Sequence, residues 1–423
     1  MEGMELLGES AQHGALRRWM TWLDVGELPS DDVLEAYFVE EIQLVKARGF
    51  FAARVPELRD ARIIGVEDHG PITTAVLDVA RTGRWRVSAV FAPDGRVKSV
   101  MPYRDPPDVS VRDAGPDDGV ALAELCREVA IETPGRRVWL DYGDDYMAAT
   151  ALCADREVVI AEQDGRIVGL HSGAYHAAML DGRSLDACYI RHTRIDARAQ
   201  RSGVFSSLNG RLFERIRLKS DFNYSIVAIG NDRMLDKIPA EARSSRPHRR
   251  FSVVCYDVAR PHAEGEHIPS IDEAVTLLND AHRFETMFHP HTASSLEDRL
   301  TTVPDYTPSH LLAAGTAVVG VRDHAVHVTV EDERGRRTVC QATAVDAGCG
   351  PDGGADLAAL VGSWCTRLAD EGVEELTVAA STGTPACEAL ANLGESVDYA
   401  INLATSGPAG QDPKAAYIDQ ALI

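Results

Sequence analysis

Residues 186–229 constrain the fold of this chain more than any other segment. Residues 186–195 mix β-branched and aromatic residues with polar ones, which is typical of a strand that carries side chains into a site from one face. The turn QRSGVF (200–205) then interrupts the strand. From Gly203 onward, apolar residues recur at every third or fourth position, which predicts a helix with one buried stripe. A second strand-like run, YSIVAI, follows, so the segment predicts a strand, a glycine turn, a helix and a strand.

The glycine turn is a candidate phosphate site. A helix that opens at such a turn directs free backbone N–H groups and the positive end of its dipole at one place, where proteins hold phosphate or pyrophosphate. Gly203 would let the ligand approach closely. An ordinary strand-to-helix turn with a capping glycine is the alternative interpretation.

This turn resembles the pyrophosphate turn of the GNAT superfamily of acyl-CoA N-acyltransferases, which follows the pattern Q/R-x-x-G-x-G/A. Gln200 and Gly203 match that pattern, whereas Phe205 stands where the family has Gly or Ala. The resemblance implies acetyl-CoA or another acyl-CoA as the acyl donor. It implies cofactor contacts from the strand, the turn and the next loop at Thr193, Ile195, Gln200, Arg201, Ser202, Gly203, Val204, Phe205 and Asn231.

Length and composition restrict the other classes of function. A chain of 423 residues is long enough for two or three domains. It has no apolar run of membrane-spanning length and no signal-peptide pattern, so we expect a cytoplasmic protein without a membrane partner. The formal net charge of −22 opposes nucleic-acid binding and would favour a cationic acceptor, although solubility explains an acidic surface equally well. Eight scattered cysteines without C-x-x-C or paired histidine spacing argue against a metal site.

Residues 1–105 form the first predicted domain. Helical patterns at residues 15–25 and 31–48 precede four strand-like runs, ARIIGVE, TTAVLDVA, RWRVSAVFA and VKSVMPY. This order resembles the cystatin-like α+β fold of the NTF2-like superfamily. The resemblance implies a scaffold or dimerisation role, and hence a possible homodimer.

Residues 108–260 form the second predicted domain, in which the element order is that of a GNAT fold. The glycine turn is preceded by a strand, a helix that ends at residue 128, a second helix over residues 144–154 and three antiparallel strands. Ile238 stands where the family usually has the tyrosine that acts as general acid. The basic run Arg243, Arg246, His248, Arg249 and Arg250 is either a solvated loop or an anchor for the CoA 3′-phosphate or an acyl carrier protein.

Residues 265–423 form the third predicted domain, which repeats the architecture of the second. Helices at 271–282 and 294–300 and three strands lead to a second glycine turn and a helix with an apolar stripe. This turn lacks the Gln or Arg of the motif, and Asp352 would place a negative charge where a pyrophosphate should lie. We therefore expect a degenerate GNAT-like domain that shapes the acceptor cleft or a dimer.

Acyl transfer to an amine needs a base for the amine and a proton for the leaving thiolate. Alternation along the strand places Tyr189, Arg191 and Thr193 on one face and His192 on the other, unless a bulge intervenes. His192 and Tyr189 are the candidate catalytic residues, and a structural role for His192 is the alternative. The candidate acceptor-binding residues are Asp141, Tyr142, Asp144, Asp145 and Arg191, although an aspartate-rich helix N-terminus also explains the acidic ones.

The sequence thus predicts an α+β and α/β multidomain protein with an NTF2-like domain and two GNAT folds. The predicted function is transfer of an acyl group from CoA or an acyl carrier protein to a small-molecule amine, in secondary metabolism or resistance. The alternative function is acyl-CoA binding or scaffolding without turnover.

Overall fold

The computed structural model describes residues 1–27, 29–38, 55–133, 135–150, 155–180, 182–235, 247–255, 263–322, 326–405 and 416–418. Its strands form one sheet of four strands and one of fourteen. None of the described helices is long and apolar enough to cross a membrane.

The first sheet is an antiparallel meander preceded by two helices. The elements are α1 (Ala11–Val25), α2 (Asp31–Tyr37), β1 (Arg62–His69), β2 (Ile72–Val79), β3 (Gly83–Phe91) and β4 (Val97–Arg104). Trp19 from α1 and Leu77 and Trp85 from the sheet share one buried core. All four predicted strands are present, and residues 39–48 of the second predicted helix lie outside the described residues. The likeness to the NTF2-like fold stays a prediction.

The central part of the chain forms the first half of the large sheet. Its elements are β5 (Ser110–Asp113), α3 (Gly119–Glu128), β6 (Ile131–Thr133), β7 (Arg136–Leu140), α4 (Tyr146–Ala149), β8 (Arg156–Gln163), β9 (Arg166–Leu180), β10 (Arg183–Ile195), α5 (Val204–Lys219), β11 (Phe222–Ala228), α6 (Asp232–Leu235) and β12 (His248–Val254). The predicted helix at 144–154 is shorter than expected, and residues 151–154 lie outside the described residues. The β6–β7 hairpin was not predicted.

The C-terminal part of the chain forms the second half of the same sheet. Its elements are α7 (Ile271–His282), α8 (Ala293–Thr302), β13 (Leu311–Ala314), β14 (Ala317–Val321), β15 (Val326–Asp332), β16 (Gly335–Cys349), α9 (Gly354–Asp370), β17 (Glu375–Ser381), α10 (Pro385–Leu390) and β18 (Glu395–Thr405). The two predicted helices and the helix after the second glycine turn are present, and the first of the three predicted strands is a hairpin of two strands, β13 and β14.

The two halves exchange their last strands. Along the sheet the strand order is β10, β11, β18, β12, β17, β16, so β18 lies beside β11 and β12 lies beside β17. β12 and β18 pair with each other, and β7 pairs with β15. Residues from both halves are therefore brought together on one continuous sheet.

Each half contains a parallel strand pair that separates part-way along. β10 and β11 pair only up to Ile190 and Ser225, although both strands continue. β16 and β17 likewise pair only up to Thr343 and Thr377. We call the opening between β10 and β11 the central wedge and that between β16 and β17 the C-terminal wedge.

Helix α5 joins the two sheets. One face packs Leu208 and Leu212 against the large sheet, and the other lies against β4. Gly210 has no room for a side chain, because a Cβ atom there would lie 2.2 Å from the Tyr103 ring. The Tyr103 hydroxyl donates a 2.7 Å hydrogen bond to the buried carboxylate of Glu214. The first sheet is thereby fixed to the helix that follows the glycine turn.

Candidate functional site

The central wedge opens into a cavity of about 530 Å³. β10 supplies one wall with Tyr189, Ile190, Arg191, His192, Thr193 and Arg194. The rest comes from helices α5 and α6, from strands β9, β11, β12, β16, β17 and β18, from Asn231 and from the β6–β7 hairpin. Both halves of the large sheet therefore build one cavity.

A β-bulge explains why consecutive residues of β10 reach the cavity. The register between β10 and β9 shifts between Arg191 and Arg194, and His192 adopts a left-handed conformation with φ of 52°. The extra residue breaks the alternation of the strand. The bulge that the sequence analysis left open is therefore present, and Tyr189, Arg191, His192 and Thr193 all line the cavity.

Two tyrosines hold the His192 ring. The Tyr146 hydroxyl lies 2.8 Å from Nδ1, and the Tyr142 hydroxyl lies 3.2 Å from Nε2. In a neutral imidazole, one nitrogen donates and the other accepts. Burial raises the pKa of Tyr146 to about 12 and raises that of Tyr142 further, so both hydroxyls stay protonated at neutral pH. Tyr142 thus contacts His192, and its predicted role in binding the acceptor stays a prediction.

The acidic residues predicted to bind the acceptor lie elsewhere. Asp141 is exposed and pairs with Arg127 at 3.1 Å. Asp145 caps α4 by accepting hydrogen bonds from the backbone N–H groups of Met147 and Ala148. Asp144 is exposed, and none of these three aspartates is among the described residues that line the cavity. The structure thus favours the helix-cap explanation for Asp145.

The glycine turn has the backbone geometry of an anion site. Arg201 and Gly203 have φ of 67° and 97°, on either side of the exposed Ser202. Within the described residues, the backbone N–H groups of Ser202, Gly203 and Val204 have no acceptor. Successive free N–H groups in such a turn form an anion-binding concavity.

Neighbouring residues shape the turn. The Gln200 side chain donates to the carbonyl of Ile195 at 3.4 Å, which links the turn to the end of β10. The Phe205 ring lines the cavity 5.9 Å from the ring of His171. Phe205 therefore points into the cavity, although the GNAT motif has a small residue there.

The segment after β11 is described only in part. Asn231 lines the cavity, and its Oδ1 accepts a 3.3 Å hydrogen bond from the Met234 backbone N–H. Ile238, Arg243 and Arg246 lie outside the described residues. His248, Arg249 and Arg250 form part of strand β12, so the loop interpretation is wrong for these three residues, and the anchor stays a prediction.

Sequence reasoning missed several residues of the cavity. His171 Nδ1 lies 2.8 Å from the Thr193 hydroxyl, while its buried Nε2 has no partner within the described residues. Burial lowers the pKa of His171 to about 4, so this ring is neutral at physiological pH. Arg194, Asn209 and the β6–β7 hairpin were also missed. The strand pairings that bring these residues together leave no local signal in the sequence.

The C-terminal wedge is filled. The cavity there measures only about 20 Å³ and is lined by Tyr417 and Ile418 from the end of the chain. Ser381 Oγ donates to the carbonyl of Ala416 at 2.5 Å, and the Tyr417 ring lies 4.8 Å from the His282 ring. In the C-terminal wedge, residues 416–418 thus occupy the space that corresponds to the open cavity of the central wedge.

The second glycine turn is partly covered. The Gly350 backbone N–H donates to the carbonyl of Thr316, and a Cβ atom on Gly353 would lie 2.4 Å from Thr316 Oγ1. Asp352 is exposed beside it. Thr316 therefore covers the part of the turn that Gly350 and Gly353 form.

Comparison with known proteins identifies the fold. No protein-family model matches the chain, and no curated protein matches its sequence. A structure of Saccharomyces cerevisiae N-myristoyltransferase with bound myristoyl-CoA matches with a TM-score of 0.51 and 9% identity, over 73% of this chain and 83% of that one. A second, with myristoyl-CoA and inhibitors, gives 0.50 and 10%, over 75% and 87%.

A third structure, a GCN5-related N-acetyltransferase from Sphaerobacter thermophilus, gives a TM-score of 0.47 at 16% identity, over 73% and 98%, which is too low to support an inference. At these identities the likeness is one of fold alone. The large mixed sheet is similar in fold to that of the N-myristoyltransferase, which agrees with the acyltransferase fold expected from the sequence.

Proposed function

We propose that the protein is an N-acyltransferase that moves an acyl group from a CoA thioester to a small-molecule amine. The observation that carries this proposal is the open central wedge with its 530 Å³ cavity, whose wall includes Phe205, the residue that directly follows the turn with free backbone N–H groups. The similar N-myristoyltransferase is described with bound myristoyl-CoA, which supports an acyl-CoA as the donor here.

In the proposed complex, the pyrophosphate of CoA lies on the N–H groups of Ser202, Gly203 and Val204. The pantetheine arm enters the central wedge past Ile190 and Ser225, where the strands separate and their facing backbone groups are no longer paired. N–H groups at this opening would polarise the thioester carbonyl. Thr193, Ile195 and Asn231 keep their proposed cofactor contacts at this end of the wedge.

His192 is the proposed base for the amine. It lies in the cavity wall, and its hydrogen bonds to Tyr142 and Tyr146 fix the ring orientation and provide hydroxyls through which a proton passes. Tyr189, also in the wall, is the proposed donor of the proton that the leaving thiolate takes up. Burial raises its pKa, so the hydroxyl carries its proton at neutral pH.

The C-terminal half is proposed to be a degenerate GNAT-like domain that completes the acceptor side of the cavity. Its filled wedge and covered turn support one CoA per chain. An acyl carrier protein as donor, a homodimer and a role in secondary metabolism or resistance remain proposals from the sequence.

A substitution at Ser202 tests the donor site. Because Ser202 is exposed and does not have positive φ, a longer side chain fits without backbone strain. We expect Ser202→Glu to weaken CoA binding about tenfold or more, since it places a carboxylate beside the pyrophosphate. Isothermal titration calorimetry with CoA measures the effect.

Ser202→Gln is the matched control, because it adds the same bulk without charge. We expect its CoA affinity to stay close to wild type. Equal affinities for the Glu and Gln variants would place the pyrophosphate away from this turn.

One observation favours the alternative of acyl-CoA binding without turnover. Both ring nitrogens of His192 are engaged by tyrosines, so the ring has no nitrogen left for direct contact with an amine. Single-turnover mixing of acetyl-CoA with a panel of amines separates the two functions. CoA binding without any release of free thiol above the rate in buffer would support the binding protein.

A further inference from the structure

The cavity is positively charged, although the protein as a whole is strongly acidic. Four arginines contribute to its wall: Arg136, Arg191, Arg194 and Arg250. Among the described wall residues, Glu132 is the single carboxylate, and it is exposed. His171 and His248 add no charge at neutral pH, because burial lowers the pKa of each to about 4. The wall therefore favours an anionic group.

Arg194 and Arg250 have no counter-ion among the described residues. Arg194 is 7% exposed, its Nε has no partner there, and its Nη1 donates to the Thr193 carbonyl at 2.9 Å. Arg250 Nη2 donates to the Thr377 hydroxyl at 3.2 Å. Removing a charge from water without a counter-ion is costly, so such groups are normally paired. Arg136, in contrast, lies 3.4 Å from Glu375.

Strand alternation directs Arg250 into the cavity. His248, Arg250 and Ser252 lie on one face of β12 and all line the cavity. Arg249, on the other face, makes a bidentate ion pair with Asp398 at 2.5 and 3.0 Å. Arg250 lines the cavity, whereas Arg249 is paired on the opposite face of β12. Arg249 is therefore the matched control for Arg250.

Three of these arginines line the same cavity as Tyr189, which lies near the proposed reaction centre. Burial raises the pKa of the Tyr189 hydroxyl, and the nearby charges of Arg191, Arg250 and Arg194 oppose that rise. Arg250 is also remote from the glycine turn, because β12 is the third strand beyond β10. At the usual spacing of about 4.8 Å per strand, this separates the two strands by roughly 14 Å.

We propose that Arg250, with Arg194 as a second positive charge, forms a subsite that binds a carboxylate of a substrate. This inference rests on the proposed function, and it replaces the cationic acceptor expected from the net charge. Two sources supply the same chemistry: the α-carboxylate of an amino-acid acceptor, or the terminal carboxylate of a dicarboxylic acyl group on CoA.

Calorimetry with wild type, Arg250→Gln and Arg249→Gln tests the subsite without requiring turnover. The first probe pair is N-acetyl-L-leucine and N-acetyl-L-leucinamide, which differ only in the carboxylate of the acceptor part. The second pair is succinyl-CoA and butyryl-CoA, which differ mainly in a terminal carboxylate on the acyl group. CoA alone is titrated in parallel.

We expect wild type to prefer the carboxylate member of one pair by about ten- to a hundredfold, as for a charge-assisted hydrogen bond. Arg250→Gln should remove this preference and leave the affinity for CoA alone unchanged, and Arg249→Gln should retain it. The pair that shows the preference identifies the source of the carboxylate.

Two results would overturn the subsite: no preference in either pair, or a tenfold loss of affinity for CoA alone in Arg250→Gln, which would assign the arginine to the CoA phosphates. Failure of the proposed function gives a different pattern. If CoA does not bind but N-acetyl-L-leucine does so in an Arg250-dependent way, the subsite stands and the acyl-CoA donor is refuted.

Discussion

Arg299→Met is expected to lower the free energy of unfolding by about 3–5 kcal/mol, because it leaves a buried carboxylate without its counter-ion. Asp346 is fully buried, and Arg299, 11% exposed, contacts it with Nε 3.1 Å from Oδ2 and Nη2 3.0 Å from Oδ1. The Tyr306 hydroxyl donates to Oδ2 at 2.7 Å. Chemical denaturation followed by circular dichroism measures the change.

The interpretation of this loss depends on two comparisons. Combining Arg299→Met with Asp346→Asn removes both charges and should recover part of the stability. Arg334→Met breaks an exposed pair with Glu395 and should cost less than about 1 kcal/mol. A loss for Arg299→Met no larger than that for Arg334→Met would contradict a structural role for the buried pair.

The location of this ion pair marks a difference between the two halves of the large sheet. β10 has a bulge at His192, just beyond the residues that pair in parallel with β11. β16 has a bulge next to Asp346, just beyond the residues that pair in parallel with β17. The bulge in β10 contains His192, which two tyrosines contact beside the open cavity of the central wedge. Next to the bulge in β16, Asp346 forms an ion pair with Arg299, and the C-terminal wedge beside it is filled.

His192→Asn is expected to reduce kcat for acyl transfer by about 10²- to 10⁴-fold, the usual contribution of a general base. Asparagine is chosen because it tolerates the left-handed conformation that His192 adopts at φ of 52°. The affinity for CoA should stay near wild type, and the pH dependence of kcat/KM should become flatter. Steady-state kinetics between pH 5.5 and pH 9 measure both quantities.

Tyr146→Phe is the companion variant, since it removes the 2.8 Å contact to His192 Nδ1 and leaves the imidazole in place. We expect a smaller loss of kcat with a retained, shifted pH profile. Wild-type kcat in His192→Asn would remove this residue from the mechanism.

The sequence predicted those parts of the fold that depend on neighbouring residues. The apolar stripe after Gly203 and the exact helix Ile271–His282 follow from periodicity, and the structure forms both. The glycine turn was recognisable because its conformation needs Gly203 at φ of 97°. These features are local, so the sequence alone carries them.

The exchange of β12 and β18 and the composition of the cavity could not be predicted. Arg250 was predicted to lie in a basic run that is either a solvated loop or an anchor for an anionic partner, because nothing near it in sequence shows that it pairs with β17 and β18. The bulge at His192 breaks the alternation of β10, so that the His192 side chain lines the cavity with its neighbours. The sequence around His192 contains no strong signature of a bulge. The arginines of the cavity wall lie on strands that are far apart in the sequence, so their proximity could not be predicted from neighbouring residues.

A crystal structure of the protein grown with saturating CoA tests the central claim most directly. Our account predicts one CoA per chain, with its pyrophosphate on the N–H groups of Ser202, Gly203 and Val204 and its pantetheine between β10 and β11. CoA in the C-terminal wedge in place of residues 416–418, or at a site that avoids the central wedge, would contradict the account.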